Sequence, residues 1–277
     1  AMATLDRCVE SVLAQQVDGG LACILVDDGS PDESGAMCDA WAAKDDRVTV
    51  IHQDDLGVSG ARNSGVAAAD SEFIVFLDSD DALRPGALQA ALTAQRAAPQ
   101  DFVVWHYTTD EHDPAAVTAD AALRPQAGLA RLWLDCLLAM PWNKLYRTDL
   151  AKQLPFDVQY TLGEDLQFVL DYIALLGQTA PGFGYRVLNS PLTFYDCSRG
   201  GTLSTRYHAN YCDIWPKHFA KLNAACHTAG CPAEDLRPLH RAELQVFAEG
   251  VADIMRRDPS PTKRLRGYKA EAALRSP

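Results

Sequence analysis

The stretch Phe73-Ile74-Val75-Phe76-Leu77-Asp78-Ser79-Asp80-Asp81 decides the fold class of this chain. Five apolar residues predict a buried β-strand, and three carboxylates follow within four positions. In open α/β sheets, the carboxyl ends of the strands form the ligand site. Carboxylates this close repel one another unless a cation lies between them, and their hard oxygen ligands suit Mg²⁺ or Mn²⁺. The other interpretation is an acidic turn that caps the next helix.

Composition limits the classes of protein. The chain has 277 residues and is 48% hydrophobic, so it can bury a full core. Its formal net charge of −12 argues against a nucleic-acid partner, which would need a basic face. No apolar run approaches the roughly 20 residues that a membrane span needs, and the first residues lack the pattern of a signal peptide. The eight scattered cysteines are typical of reduced thiols, so we expect a cytoplasmic protein.

Strands and helices alternate along the first 110 residues. A helical apolar pattern at Leu5–Leu13 precedes a predicted strand at Leu21–Val26, and the alternation continues to a strand at Phe102–Tyr107. This order predicts an α/β fold with a doubly wound, mostly parallel sheet flanked by helices. Later in the chain we expect a loop at 110–126, helices at 127–140 and 164–176, a strand pair at 187–195 and helical structure from 207 to 257.

Acidic residues end two of the predicted strands. Asp27 and Asp28 follow the first strand, and the Asp78–Asp81 acids follow the strand quoted above. A parallel sheet brings such ends to the same edge. Between them lies Gly57-Val58-Ser59-Gly60-Ala61-Arg62-Asn63-Ser64-Gly65. The chain has no Gly-x-Gly-x-x-Gly after its first strand and no Gly-Lys-Ser/Thr loop, which argues against dinucleotide-binding and P-loop proteins.

These motifs resemble those of the inverting family 2 glycosyltransferases, which have the GT-A fold. The matching stretches are Leu25-Val26-Asp27-Asp28-Gly29-Ser30, Gly57-x-Ser59-x-Ala61-Arg62-Asn63-x-Gly65, Phe76-Leu77-Asp78-Ser79-Asp80-Asp81, Trp142-Asn143-Lys144-Leu145-Tyr146 and Gly163-Glu164-Asp165. Each motif alone is weak, but five in this order are specific, and they cover roughly residues 1–205.

The resemblance implies a nucleotide-sugar donor, expected to be UDP-linked, and assigns residues to it. Asp28, or alternatively Asp27, would accept the N3–H group of a uracil ring. Arg62 would bind a base carbonyl, ribose or phosphate, or alternatively pair with an aspartate at a strand end and orient it. Arg199 would clamp the donor phosphates, or alternatively lie in an ordinary surface loop. The remaining nucleotide-binding candidates are Asn63, Asp78 and Ser79.

The same resemblance implies a separate role for each of the acids. Asp80 is the expected direct ligand of Mn²⁺ or Mg²⁺, together with Asp78, while Asp81 would bind a water or cap the helix. Asp165 resembles the general base that takes the proton of the acceptor hydroxyl, with Glu164 as the alternative. The other interpretation of these two acids is that they stabilise the first turn of a helix through its dipole.

The sequence also offers two neighbouring candidates for the acceptor site. Trp142 would stack on an acceptor sugar with Lys144 beside it, or alternatively these two are a core tryptophan and a solvated lysine. We expect a nucleotide-sugar-binding half at 1–110, an acceptor-binding half at 111–205 and a helical extension with a basic tail at 206–277. This tail suggests peripheral contact with the inner face of a membrane, since basic segments gain about 1 kcal/mol per charge near anionic lipid. The alternative is a solvated tail.

The expected activity is metal-dependent, inverting transfer of a hexosyl or N-acetylhexosaminyl group to a hydroxyl of a glycan or lipid-linked saccharide. The alternative is a degenerate GT-A protein that binds a nucleotide sugar or a partner without turnover. One departure supports the alternative: the family's usual first strand, which precedes the helix at Leu5–Leu13 and is central in the sheet, is absent. Its absence predicts an open edge beside Leu21–Val26, and therefore a homodimer through that edge or a poorly stable monomer.

Overall fold

The computed structural model describes residues 1–160, 162–198, 208, 210–260 and 262. The helices are α1 (Leu5–Leu13), α2 (Ser34–Lys44), α3 (Gly57–Ala68), α4 (Ala87–Ala97), α5 (Leu129–Leu134), α6 (Thr148–Ala151), α7 (Glu164–Thr179), α8 (Tyr211–Thr228) and α9 (Ala233–Arg257). The strands are β1 (Cys23–Asp28), β2 (Val48–Gln53), β3 (Phe73–Ile74), β4 (Ala82–Leu83), β5 (Phe102–Thr108), β6 (Ala121–Pro125), β7 (Lys144–Arg147) and β8 (Gly184–Phe194).

The described strands form two sheets. The first is the parallel pair β1–β2, in register from Cys23↔Val48 to Asp28↔Gln53. The second has the order β3-β7-β5-β8-β4, with β6 also paired to β8. The two longest ladders, β1–β2 and β5–β8, are parallel, while β3–β7, β5–β7, β4–β8 and β6–β8 are antiparallel. The predicted α/β class with a mostly parallel sheet and a helical C-terminal region is confirmed.

The second half of the chain departs from the predicted elements. Strand β6 lies inside the segment predicted as a loop. The sequence does not predict β7, because it shows no alternation of buried apolar and exposed polar residues: a lysine and a tyrosine within it are both buried. The helix predicted at 127–140 ends at Leu134, since Cys136 adopts a left-handed φ of 56°. Strand β8 is one strand rather than a broken pair, with an irregular register against β5.

The strand predicted at Phe73–Leu77 is also shorter than expected. Only Phe73–Ile74 forms a ladder, and Val75–Leu77 continues without one. Among the described residues β1 pairs with β2 alone, and no strand joins the two sheets. Val12 of α1 packs against the hydrophobic clusters of both sheets, which include Leu25 on one side and Val75 on the other. Helix α1 therefore bridges two sheets that share no strand within the described part of the chain.

The direction of α1 is that of a crossover helix. The amino group of Ala1 lies 3.9 Å from the carboxylate of Asp32, just beyond the carboxyl end of β1. At the other end of the helix, Leu13 accepts a hydrogen bond of 3.1 Å from Arg47, which immediately precedes β2. The helix thus runs back from the carboxyl edge of the sheet to its amino edge, as the helix of a βαβ unit does.

The main hydrophobic core lies behind the second sheet. Phe76 makes edge-to-face contacts with Tyr146, Phe156 and Phe168, and Phe156 stacks on Phe168 with ring centroids 3.9 Å apart. These rings connect the strand of the acidic motif to α7 and thereby set the distance between the two groups of acids. In the described part of the chain, no helix has the length and apolar character needed to cross a membrane.

Candidate active site

Arg62 on α3 is the centre of the site. Its Nη1 donates to Oδ1 of Asp165, and its Nη2 donates to Oδ1 of Asp78 at 3.1 Å. Glu164 lies 4.0 Å away. The guanidinium side chain is only 11% exposed and lies over the ring of Phe156. Three segments that are distant in sequence therefore meet at one cation, and the predicted pairing of Arg62 with an aspartate at a strand end is present.

Asp165 lies in an environment suited to a proton acceptor. Burial raises the pKa of its carboxyl to about 7, and the charge of Arg62 opposes that shift while Glu164 and Asp78 add to it. Its side chain remains 29% exposed, so a substrate hydroxyl can reach it. A carboxylate whose pKa is near the working pH combines a useful deprotonated fraction with proton affinity. Asp165 can therefore serve as a general base near neutral pH.

Gly163 sets the position of these two acids at the start of α7. It caps the helix with a left-handed φ of 78°. A Cβ atom at this position would lie 2.4 Å from Nε2 of His218. The His218 ring is buried and held by hydrogen bonds with Gln167 and with the carbonyl of Leu162. The glycine of the Gly163-Glu164-Asp165 motif is therefore required by backbone conformation and by space.

We expect Gly163→Ala to destabilise the protein strongly. The left-handed conformation costs a non-glycine residue about 1–2 kcal/mol, and the contact with His218 adds to this cost. Gly182→Ala is a matched control, since Gly182 has a φ of 82° but no atom within 4 Å of the position that the alanine methyl group would take. Thermal unfolding should show a larger loss for Gly163→Ala. Equal losses in the two variants would mean that His218 adjusts to the new methyl group.

The first acidic turn is held by polar side chains of β2 and its neighbours. Asp28 Oδ1 accepts hydrogen bonds from Gln53 Nε2 at 2.6 Å and from the amide of Leu56 at 3.0 Å. Asp27 instead accepts from the amide of Ser30 and pairs with His52 at 3.0 Å. Hydrogen bonds from Ser30 and His52 lower the pKa of Asp27. Both acids are thus fixed in place, and Gln53 is a participant that the sequence patterns did not indicate.

The side chain of Asn63 makes two hydrogen bonds to the backbone of one residue. Its Oδ1 accepts from the amide of Phe156 at 2.7 Å, and its Nδ2 donates to the carbonyl of Phe156 at 2.9 Å. Both functions of the side-chain amide are used by one backbone unit. Asn63 therefore fixes Phe156, the ring beneath Arg62, and acts on the site through that ring.

The acidic motif forms a tight turn, in which the amide of Asp81 donates to the carbonyl of Asp78 at 3.0 Å. Asp78 and Asp80 are partly exposed and Ser79 is exposed. Asp81 is fully buried, and its Oδ1 accepts from the amide of Asp196. Burial raises the pKa of Asp81 to about 7. The turn therefore directs Asp81 into the interior, away from a ligand that Asp78 and Asp80 could hold.

Trp142 and Lys144 do not line an open acceptor surface. Trp142 is 3% exposed. Lys144 is completely buried, and its Nζ donates to the carbonyls of Leu137 and Met140 and to Oδ1 of Asn143, at 2.5–2.7 Å. Lys144 therefore supports the loop between α5 and β7, and the alternative of a core tryptophan describes Trp142 correctly.

Two tyrosines lie in front of Trp142. Tyr195 stacks on the Trp142 ring at a centroid distance of 5.3 Å, and Tyr107 contacts the same ring edge-to-face at 5.1 Å. Both tyrosines are half-buried. Burial raises the pKa of Tyr195. Tyr195 immediately precedes Asp196, whose amide donates to Oδ1 of Asp81 at 2.9 Å, so its backbone lies next to the acidic turn. Tyr195 follows β8 and Tyr107 lies in β5, and neither position carried a motif in the sequence.

Arg199, the predicted phosphate clamp, lies outside the described residues, as does the basic tail. Within the described ranges, no cluster of three or more histidine, cysteine or acidic side chains could enclose a metal ion. Among the described residues, Asp78 and Asp80 are the partly exposed carboxylates of this turn.

Comparison with solved structures supports the fold. The structure resembles S. aureus TarS 1-349, crystallised in complex with UDP-GlcNAc, with a TM-score of 0.67 at 15% sequence identity. The likeness covers 98% of this chain and 77% of that chain. This likeness shows that the chain has the predicted GT-A fold.

Sequence comparison defines the family. The family model described as "Glycosyl transferase family 2" matches residues 2–155, more than half of the chain, so the chain belongs to this family. Glycosyltransferase GlyG of Streptococcus pneumoniae is 38% identical over 39% of this chain and 36% of its own length. Succinoglycan biosynthesis protein ExoO of Rhizobium meliloti is 32% identical over 66% of this chain and 56% of its own length. The chain thus spans only part of these curated relatives.

Proposed function

We propose that the protein is an inverting glycosyltransferase that moves a sugar from a nucleotide donor to a hydroxyl of a glycan or lipid-linked saccharide. One observation carries this proposal: Arg62 holds the candidate base Asp165 and the candidate donor-binding acid Asp78 on a single guanidinium. The relatives GlyG and ExoO, by their names, are a glycosyltransferase and a protein of succinoglycan biosynthesis.

In the proposed reaction, Asp165 takes the proton of the acceptor hydroxyl while that oxygen attacks the anomeric carbon. The bond from this carbon to the diphosphate breaks on the opposite face, so the configuration inverts. Arg62 is a fixed donor of hydrogen bonds next to Asp78, where it would also offset the negative charge of the diphosphate. Glu164 is largely buried beside Arg62, which makes it less accessible to an acceptor than Asp165.

The donor is proposed to be a UDP sugar. Asp28 is partly exposed and held by Gln53 and Leu56, so its carboxylate is preorganised to accept the N3–H of a uracil ring. Asp27 is occupied by His52 and Ser30, which makes it the weaker candidate. S. aureus TarS, which has a similar fold, was crystallised in complex with UDP-GlcNAc, and this supports the same class of donor here.

A divalent cation is proposed to assist donor binding. Asp78 and Asp80 offer partly exposed carboxylates, the hard oxygen ligands that suit Mg²⁺ or Mn²⁺. This donor set fits an ion that is held by one or two carboxylates and completed by substrate phosphates and water. When bound, such an ion would neutralise the charge on the departing diphosphate. Asp81 is buried and serves to fix the turn.

We expect Asp80→Asn to abolish the effect of Mn²⁺ on UDP binding. Removing a group that merely supports a metal ligand costs about 10–100-fold in affinity, so removing the ligand itself should cost at least as much. Isothermal titration of UDP with Mn²⁺ or with EDTA measures the difference. Asp46→Asn changes the same charge at an exposed turn before β2 and should leave binding unchanged. If neither EDTA nor the Asp80→Asn substitution changes the affinity for UDP, the metal proposal is wrong.

The acceptor sugar is proposed to contact Tyr107 and Tyr195 rather than Trp142. Aromatic faces pack well against the apolar face of a pyranose ring, and these two rings are partly exposed while Trp142 is buried behind them. Stacking on Trp142 makes the Tyr195 ring rigid, which lowers the entropy cost of binding. Tyr195→Leu should weaken acceptor binding while UDP affinity stays the same, and unchanged transfer kinetics would exclude this contact.

Turnover is tested directly by incubating the protein with a panel of sugar nucleotides and Mn²⁺ and measuring the release of free nucleoside diphosphate. Binding of UDP without release, across donors and candidate acceptors, would favour the alternative of a GT-A protein without activity.

The cellular setting also belongs to this proposal. We place the protein in the cytoplasm, with the basic tail in weak contact with anionic lipid and with homodimers forming through the edge of β1. Vesicle sedimentation at low salt, with the full chain and with a version ending at Pro259, tests the lipid contact, and identical partitioning would exclude it. Light scattering after size-exclusion chromatography tests the dimer, and a monomer at all concentrations would exclude it.

A further inference from the structure

Polar side chains of α1, and of the residue just beyond its C-terminal end, hold the backbone of the acidic turn and the segment after it. Arg7 and Ser11 lie four residues apart on one side of α1, and Gln15 follows four residues later, after the helix has ended. Each makes a hydrogen bond to the chain between Asp80 and Leu88. The apolar pattern of α1 does not reveal these contacts, because Arg7 and Ser11 fall between its apolar positions and Gln15 follows the helix.

Arg7 is the member of this row that contacts the acidic turn. Its Nη2 donates to the carbonyl of Asp80 at 2.6 Å and to Oδ2 of Asp196 at 2.7 Å. The guanidinium lies over the ring of Phe194, with 5.0 Å to the centroid, and Glu111 is 3.6 Å away. Arg7 therefore links two segments of the chain, which are the turn containing Asp80 and the end of β8.

Asp196 extends this connection to Asp81. Its amide donates to Oδ1 of Asp81 at 2.9 Å, and its own carboxylate accepts from the amide of Ser198. Asp196 is largely buried, so its charge needs a close cation, and Arg7 supplies it. Arg7, Asp196 and Asp81 thus form a clasp around the turn at Asp80, in which one positive charge offsets several negative ones.

The other two residues act further along. Ser11 Oγ accepts from the amide of Leu83 at 2.9 Å. Gln15 donates to the carbonyl of Arg84 at 3.0 Å and accepts from the amide of Leu88 at 3.2 Å. Gln15 therefore anchors the start of α4 and touches none of the acids. It offers a natural control, since it makes hydrogen bonds of the same kind from a position just after the same helix.

We propose that Arg7 is a positioning residue for the donor site, which it serves by holding the Asp78–Asp81 turn in the geometry that presents Asp80. The inference rests on the proposed function. Four carboxyl groups, at Asp78, Asp80, Asp81 and Asp196, lie around this turn, and those that are ionised repel one another. Without the Arg7 guanidinium the turn loses both its backbone contact at Asp80 and the cation that keeps Asp196 in place.

Hydrogen exchange of the full chain without ligand tests the structural half of the inference. Arg7→Met should speed exchange of the Asp81 and Asp196 amides by about tenfold or more relative to wild type, because both depend on the clasp. Gln15→Met should speed exchange at Leu88 and leave Asp81 and Asp196 unchanged. Arg7→Lys keeps the charge and should recover part of the protection. Equal exchange at Asp81 and Asp196 in wild type and Arg7→Met would overturn the proposal.

Titration with UDP and Mn²⁺ tests the functional half. Arg7→Met should weaken Mn²⁺-dependent UDP binding by about 10–100-fold, the usual effect of removing a group that supports a metal ligand. Gln15→Met should bind as wild type does, even where its melting temperature falls equally. Equal weakening in both variants would show a general loss of stability and overturn the positioning role. Wild type that binds no UDP would refute the proposed function, and the exchange data would still decide whether Arg7 holds the turn.

Discussion

Asp165→Asn is expected to lower the rate of sugar transfer by about 10²–10⁴ while UDP affinity stays nearly constant, the range typical for loss of a general base. Asparagine keeps the shape of the side chain and can still accept the hydrogen bond from Arg62 through its Oδ1, so the geometry around Arg62 should persist. Single-turnover rates at saturating donor, together with UDP titration, separate the loss of chemistry from a loss of binding.

A matched variant controls for the effect of charge on α7. Asp171 lies on the same helix and pairs with Lys221, away from Arg62. Asp171→Asn should transfer sugar at the wild-type rate. If Asp165→Asn retains more than about half of the wild-type rate, Asp165 is not the base, and Glu164→Gln becomes the variant to test.

The pH profile provides a second check on the same residue. The pKa of Asp165 is raised to about 7 by burial, with Arg62 opposing the shift, and the base acts in its deprotonated form. The rate should therefore rise as pH increases from about 5.5 to 7 and level off above about 8. A rate that falls over this range, or that rises equally in Asp165→Asn, would assign the titration to another group.

The second large effect is expected from a strand added before α1. An extension of six apolar residues ahead of Ala1 matches the length of β1 and enters at the edge of the sheet where α1 begins. Paired with β1 and Val75–Leu77, it would complete the βαβ unit and join the two sheets. Each new hydrogen bond contributes about 0.5–1.5 kcal/mol. A net gain of even 2–3 kcal/mol corresponds to about 5–10 °C in melting temperature for a protein of this size.

Calorimetry and light scattering measure this outcome, and an extension of six glycine and serine residues is the control. The apolar extension should raise the melting temperature, tighten UDP binding and reduce the dimer fraction, because it occupies the edge of β1 that a second copy would otherwise pair with. Identical melting temperatures and identical UDP affinities for the two extensions would mean that these edges do not need a partner strand.

Much of the first half of the fold is predictable from its sequence. Helix α1 has the predicted bounds, because Leu5, Cys8 and Val9 form a clear apolar face. The strand at Cys23–Asp28 begins and ends two residues later than predicted. Its last two residues are acidic, so the hydrophobic pattern does not include them, yet they pair with β2 in the ladder. The meeting of Arg62, Asp78 and Asp165 follows from motifs, and the structure adds the hydrogen bonds that hold them.

Other features depend on tertiary contacts that local patterns do not reveal. The sequence leaves Trp142 either at the acceptor site or in the core, and both interpretations leave Lys144 accessible. The structure buries both residues, and carbonyl groups satisfy the Lys144 ammonium. Tyr107 and Tyr195 become neighbours only through the pairing of β5 with β8. The role of Arg7 depends on Asp196, which is 189 positions away in the chain. Each of these interactions joins segments whose sequences are individually ordinary.

The burial of Lys144 has a practical consequence for chemical labelling. Amine-reactive reagents should modify exposed lysines such as Lys44 and Lys152 within the native protein. They should reach Lys144 only when the loop between α5 and β7 opens, since its Nζ is enclosed by three oxygen acceptors. The rate at which Lys144 is labelled, measured by mass spectrometry, would therefore report the rate of local opening in the intact protein without a dedicated probe.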